Sequence, residues 1–159
     1  MKTENLNYSF DEQNYTTFVA YPENDGAPLV LIAHAWGGRD NFVEEKAIEL
    51  AKEGFVAMAI DMYGDGKQGT TIEENQSLMT PLVEDRKKLK SIINAALEQG
   101  KNLEGVDSSK VAAIGYCFGG MVVLDLARSG ADVKGVVSFH GLLMDSEISE
   151  QGIKSKILV

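Results

Sequence analysis

Gly115-Tyr116-Cys117-Phe118-Gly119-Gly120 is the stretch around which the rest of this chain is read. It follows an apolar run, Val111-Ala112-Ala113-Ile114, and precedes an apolar-periodic segment, Met121 to Arg128. The spacing predicts a strand, a tight turn and a helix, with a nucleophile-capable side chain at the apex. G-x-C-x-G is the cysteine form of the G-x-S-x-G nucleophile elbow. The pattern has a steric reason: a strained turn lifts the apex side chain clear of the sheet, and the flanking glycines avoid collision where strand and helix approach. The helix start offers unpaired N–H groups and a positive dipole end, both of which favour a thiolate. The N–H of Phe118, one residue on, is where such a turn places an oxyanion donor. A cysteine on a strand-to-helix crossover is also commonly a small packed apolar residue, so the rest of the chain has to decide.

Residues 5–10 and 15–20 read as two strands of an antiparallel hairpin. Pro28 to Ala33 and Phe55 to Ile60 are continuous apolar runs, as expected of strands buried on both faces. Between them a helix is expected from Asn41, with Glu44 in a box-like arrangement and Gly54 closing it. A weak helix is expected over Ile72 to Met79, and a longer one capped by Thr80-Pro81 and ending near Gly100. Val133 to Phe139 is a further strand, and Lys154 to Val159 reads as the opening of a buried one. Strands alternating with helices give an α/β class with a mostly parallel sheet, helices on both faces and right-handed crossovers. The 159 residues suit one domain, 1–159. Because the chain stops inside an apparent strand, we expect a sheet incomplete at the C-terminus.

Composition narrows the function classes. Hydrophobic residues make up 44% and charged residues 25%, which fits a soluble globule. The net charge of −9 argues against nucleic acid or an anionic membrane surface as partner. One cysteine excludes an intrachain disulfide framework and any multi-cysteine metal site. No apolar leader core and no membrane-spanning run is present, so a cytoplasmic location is expected.

Sites of parallel sheets lie outside the carboxyl ends of the strands. The His34-Ala35-Trp36-Gly37-Gly38 turn, the Asp61–Thr71 loop and Cys117 therefore converge there. Ala35 N–H is the expected second oxyanion donor, paired with Phe118 N–H. His34, Trp36 and Tyr63 are expected to border the pocket. His34 has three open roles: orienting the turn, touching Cys117, or bonding to backbone. His140 is a weaker candidate base, with Asp145 and Glu147 after it. Gly64-x-Gly66-x-x-Gly69 matches a dinucleotide fingerprint, but Asp61-Met62-Tyr63 separate it from the strand and no strong helix start follows. It reads better as a flexible lip over the site edge, with Lys67 able to attract an anion. Two imidazoles without ligand spacing do not suggest a metal, and no cofactor is expected.

With these residues in view, the chain resembles the dienelactone hydrolase family of α/β-hydrolases. The resemblance rests on Lys110 to Gly120 with its cysteine elbow, on Asp61-Met62-Tyr63-Gly64 after a buried strand, and on the His34-to-Gly38 turn with Asp40-Asn41-Phe42 entering a helix. It runs from about residue 15 to the last residue. It implies an α/β-hydrolase fold and cofactor-free hydrolysis of a small ester or lactone by a Cys-His-Asp triad, of which only Cys117 has a match here. It also implies that the family's acid and histidine lie beyond Val159, so that this sequence is C-terminally truncated. Members of the family type carry a glutamate, in contact with the resting thiol, where His34 stands, and an arginine for the substrate carboxylate in the loop after Tyr63 has no clear counterpart. The alternatives are a thioesterase or other thiol hydrolase on the same fold, and a non-catalytic α/β domain with Cys117 packed.

Overall fold

The computed structural model describes residues 1–146 and 152–159; Glu147 lies outside the described residues. Strands β1 (Lys2–Phe10) and β2 (Gln13–Tyr21) form the hairpin, each longer than the sequence pattern indicated. Its two-residue turn, Asp11-Glu12, has positive φ at both positions (49° and 61°), the geometry that suits a right-twisted hairpin. The apolar runs become β3 (Ala27–Ala33) and β4 (Val56–Ala59), all but one of whose residues are buried. The elbow strand is β5 (Val106–Tyr116), followed by β6 (Gly135–Phe139) and β7 (Lys156–Leu158). The sheet order is β1-β2-β4-β3-β5-β6-β7, parallel from β4 through β7 and antiparallel at the β1-β2-β4 side.

Helices cover both faces. On one, α1 (Asn41–Lys52) sets Val43, Ala47 and Ala51 against Val30, Ile32, Ala57 and Ala59. On the other lie α3 (Arg86–Lys101) and α4 (Phe118–Arg128), with α2 (Ile72–Glu84) beside α3. Leu89, Ile92, Ile93, Ala96 and Leu97 recur at helical spacing and form the buried stripe of α3. Helix α4 is apolar nearly all round and buried from Phe118 to Ala127, as a helix enclosed by its neighbours must be.

Three local expectations change. Helix α1 begins at Asn41 as expected, but its cap is Asp40, whose carboxylate accepts Val43 N–H at 3.3 Å, in place of the box-like Asn41–Glu44 arrangement. Thr80-Pro81 starts nothing: α2 begins at a Thr71–Glu74 capping box and runs through Pro81 to Glu84. An interior proline lacks one N–H, and this mostly exposed helix, with Leu82 its sole buried residue, carries the loss. The break falls at Asp85, which caps α3 through Lys88 N–H at 3.0 Å. Arg86 then reaches the fully buried Asp125 of α4 with two hydrogen bonds, at 2.6 and 2.7 Å. Lastly, the terminal strand is not buried: Ile157 and Leu158 are 43% and 64% exposed, because β7 pairs with β6 alone among the described strands.

Helix α4 approaches the sheet so closely that a β-carbon on Gly119 would lie 2.7 Å from His34 O and closer still to the Ala33 carbonyl. Both obstacles are backbone, so neither can rotate away. Gly119→Ala is expected to destabilise the fold by about 3 kcal/mol, measured as a drop in urea midpoint at unchanged slope. Gly54→Ala meets no neighbouring atom within 4 Å; it should cost less, through its positive φ alone.

Candidate active site

Strand β5 turns into α4 within one residue. Cys117 has φ 54° and ψ −117°, an unusual backbone for a side-chain-bearing residue, as the glycine spacing anticipated. Its N–H donates to Phe139 O at 3.0 Å and its carbonyl accepts Gly120 N–H at 2.9 Å, so both neighbouring elements hold the apex. A β-carbon at Gly115 would strike the Gly119 carbonyl and sit 2.8 Å from Gly120 N; one at Gly120 would sit 2.6 Å from Gly141 Cα. Every glycine of the motif therefore marks a close approach. The Cys117 side chain remains partly accessible.

The turn after β3 lies against this elbow. The His34 ring is completely buried and both its nitrogens face backbone: Nδ1 is 2.6 Å from Ala35 O, and Met62 N–H points at Nε2 from 3.2 Å. A carbonyl only accepts and an amide only donates, so the imidazole is the neutral Nδ1–H form. Burial, its largest influence, lowers the His34 pKa below the ordinary 6.5; the Ala35 carbonyl and the Asp61 charge oppose this. Of its three open roles, His34 is therefore not hydrogen-bonded to Cys117: both ring nitrogens bond to backbone, one within its own turn and one in the loop after β4. Its ring is edge-on to Tyr63 at 4.7 Å, and Tyr63 stacks on Phe118 at 5.8 Å. The Tyr63 hydroxyl donates to Trp36 O at 2.8 Å. Burial, followed by the nearby thiol, raises the Tyr63 pKa.

The loop after β4 is tied down rather than loose. Asp61 is fully buried, and its carboxylate accepts four backbone N–H bonds: Tyr63 at 3.0 Å, Gly64 at 2.9 Å, Gly66 at 2.8 Å and Thr16 at 3.0 Å. The loop also joins the His34 turn through Gly69 N–H to Gly37 O at 3.0 Å and the Gln68 amide to Arg39 O at 2.7 Å. A lone acid at a strand end with glycines three and five residues on is the sequence signal for this role.

Ala35 N–H and Phe118 N–H have no acceptor among the described residues. His140 follows β6, with φ 42° and an exposed ring 6.4 Å from that of Tyr116; it makes no side-chain hydrogen bond among the described residues. No described histidine is thus bonded to Cys117. Lys67 is half-exposed, 4.0 Å from Asp65. A cavity of about 510 Å³ lies between the β1–β2 turn, α2 and α3; Tyr63 lines it and Cys117 does not. No described helix is long and apolar enough to cross a membrane.

The buried neutral His34 gives the fold a pH dependence. Its folded pKa lies below 6.5, so the unfolded chain binds the proton first. The stability it supports is complete above pH 6.5 and is lost as pH falls from there through the folded value. Between pH 7.5 and 5.5 the wild type should lose up to about 1.4 kcal/mol more than His34→Gln, read from paired urea denaturations.

Comparison with known proteins bears on this arrangement. A probable 2-oxo-3-(5-oxofuran-2-ylidene)propanoate lactonase from Bradyrhizobium is 32% identical over 73% of this chain and 46% of its own length. A putative carboxymethylenebutenolidase from Aquifex aeolicus is 31% identical over 88% of the chain and 62% of its own. The crystal structure of a dienelactone hydrolase-like promiscuous phosphotriesterase from metagenomic libraries superposes with a TM-score of 0.92 and 32% identity, covering 98% of this chain and 66% of that one. The chain thus spans between about half and two thirds of the length of these relatives. The dienelactone hydrolase family model matches residues 15–159, which takes in the turn after β3, the Asp61 loop and the cysteine elbow alike, and the chain belongs to that family.

Proposed function

We propose that this chain carries the nucleophile and the oxyanion donors of a carboxylic ester or lactone hydrolase acting on a small molecule. The Cys117 sulfur, as thiolate, attacks the carbonyl carbon and forms a C–S bond. The carbonyl oxygen becomes an oxyanion accepted by the N–H groups of Ala35 and Phe118. The acyl–oxygen bond then breaks, the alkoxide leaves with a proton, and water attacks the thioester to release the acid and the thiol. His34, Trp36 and Tyr63 form the wall behind the oxyanion.

One observation carries this reading. Cys117 is held at φ 54° in a turn whose glycines are all sterically required. Strain of this kind costs about 1–3 kcal/mol, and a cysteine that merely filled space would not need it. The lactonase and carboxymethylenebutenolidase relatives point to esters and lactones as the bond class. The relay of the proton is the step for which the described residues offer no group, since His34 has both nitrogens committed and His140 has no orienting partner.

With p-nitrophenyl acetate, this chain is expected to release a burst of about one p-nitrophenolate per molecule and then turn over slowly. Mass spectrometry should find the added acetyl on Cys117, and Cys117→Ala should remove both burst and adduct. A burst that survives Cys117→Ala, or iodoacetamide that fails to modify the native thiol, would return Cys117 to the role of a packed residue.

A further inference from the structure

The turn bearing Ala35 N–H packs Trp36 against the core, and its peptide planes are fixed one after another. A β-carbon on Gly119 would meet His34 O at 2.7 Å, so that carbonyl lies against the start of α4. Among the described residues every peptide bond is trans, so the N–H of Ala35, on the same peptide, points away from that contact. The next three carbonyls each have a donor. Ala35 O accepts from His34 Nδ1–H at 2.6 Å, Trp36 O from the Tyr63 hydroxyl at 2.8 Å, and Gly37 O from Gly69 N–H at 3.0 Å. Two of these donors come from the loop after β4. His34 Nε2 ties back to the same loop by accepting Met62 N–H at 3.2 Å. The loop itself hangs on the four N–H bonds to Asp61.

On the acyl-transfer reading above, we infer that Tyr63 and His34 are positioning residues for the oxyanion. They hold the 34–38 turn from the side of the β4 loop, so that Ala35 N–H is already aimed before substrate arrives. Rotation of the Ala35–Trp36 or Trp36–Gly37 peptide would break a bond to one of these side chains. An oxyanion donor works because it needs no reorganisation at the moment of reaction. A turn free to rotate would supply the same N–H with that advantage gone. The phenol and the imidazole act on the reaction through the turn, and neither needs to touch the reacting atoms.

The inference separates two reactions of one thiol. Acylation by p-nitrophenyl acetate develops an oxyanion; alkylation by iodoacetamide displaces iodide at a saturated carbon and develops none. Tyr63→Phe keeps the ring on Phe118 and removes only the donor to Trp36 O. In single-turnover measurements its limiting acylation rate should fall about 10-fold, with the half-saturating ester concentration unchanged and the alkylation rate within about 2-fold of wild type. His34→Asn keeps a donor for Ala35 O and drops the acceptor for Met62 N–H; run in parallel, it should show the same selective loss and stands in should Tyr63→Phe fail to fold. Acylation at the wild-type rate, or equal losses in acylation and alkylation, would overturn the positioning role. A wild type that is not acylated on Cys117 at all would instead overturn the acyl-transfer reading on which it rests.

Discussion

The close approach of α4 to the end of β3 is the constraint on which the site depends. Gly119 lies against the Ala33 and His34 carbonyls with no room for a side chain. For the helix to sit there, the chain must leave β5 and enter α4 within a single residue, and Cys117 takes the positive φ that this reversal demands. Gly115 and Gly120 follow from the same geometry, the first clearing the helix backbone and the second clearing Ser138 of β6 and Gly141 beyond it. The strain at Cys117 is of order 1–3 kcal/mol. Burying one leucine of the size of Leu126, which is wholly enclosed, contributes about as much. Helix α4 buries ten consecutive residues, so its packing holds the apex in place with margin to spare.

Around this apolar junction the turns are held by polar side chains instead. Chain leaving a sheet loses its ladder partners, and buried N–H and C=O groups then need others. Asp61 answers for four amides, His34 for one amide and one carbonyl, and Tyr63 for one carbonyl. Buried backbone groups are paired almost everywhere in proteins. The N–H groups of Ala35 and Phe118 have no acceptor among the described residues, which on the reading proposed above leaves them available to an oxyanion.

Much of the architecture was legible because its signals were local. The unbroken apolar runs of β3 and β4 could only be buried strands, and the glycine spacing around Cys117 could only suit a tight crossover. The failures were also local in origin but tertiary in cause. Thr80-Pro81 is a strong start signal, overridden because Thr71 and Glu74 had already begun the helix and Asp85 had a better use as a cap. Ile157 and Leu158 look like core residues, since periodicity reports the identity of a face and not what lies on it. The sequence leaves the partner of His34 open because a histidine at a turn can serve a thiol or a peptide equally well, and only the positions of Ala35 O and Met62 N–H decide between them. The role of Asp61 is only partly legible from its motif, since its four partners come from two separate segments, one of them 45 residues away.

The neutrality of His34 has a consequence for charge in the site. A carboxylate at this buried position would need donors or a cation to offset its desolvation. An imidazole meets one carbonyl and one amide with no net charge, which is the complement that these two backbone groups present. The negative charge nearby is placed instead on Asp61, where four N–H groups surround it. The turn before the elbow is thereby built without an anion bonded to the thiol, which matters on the acyl-transfer reading proposed above, where the active form of Cys117 is itself an anion. Like charge beside a thiolate would oppose its formation. With position 34 uncharged and the Tyr63 pKa raised further by burial, the start of α4, whose free N–H groups and dipole favour negative charge, faces Cys117 with no carboxylate on the neighbouring His34 turn bonded to it.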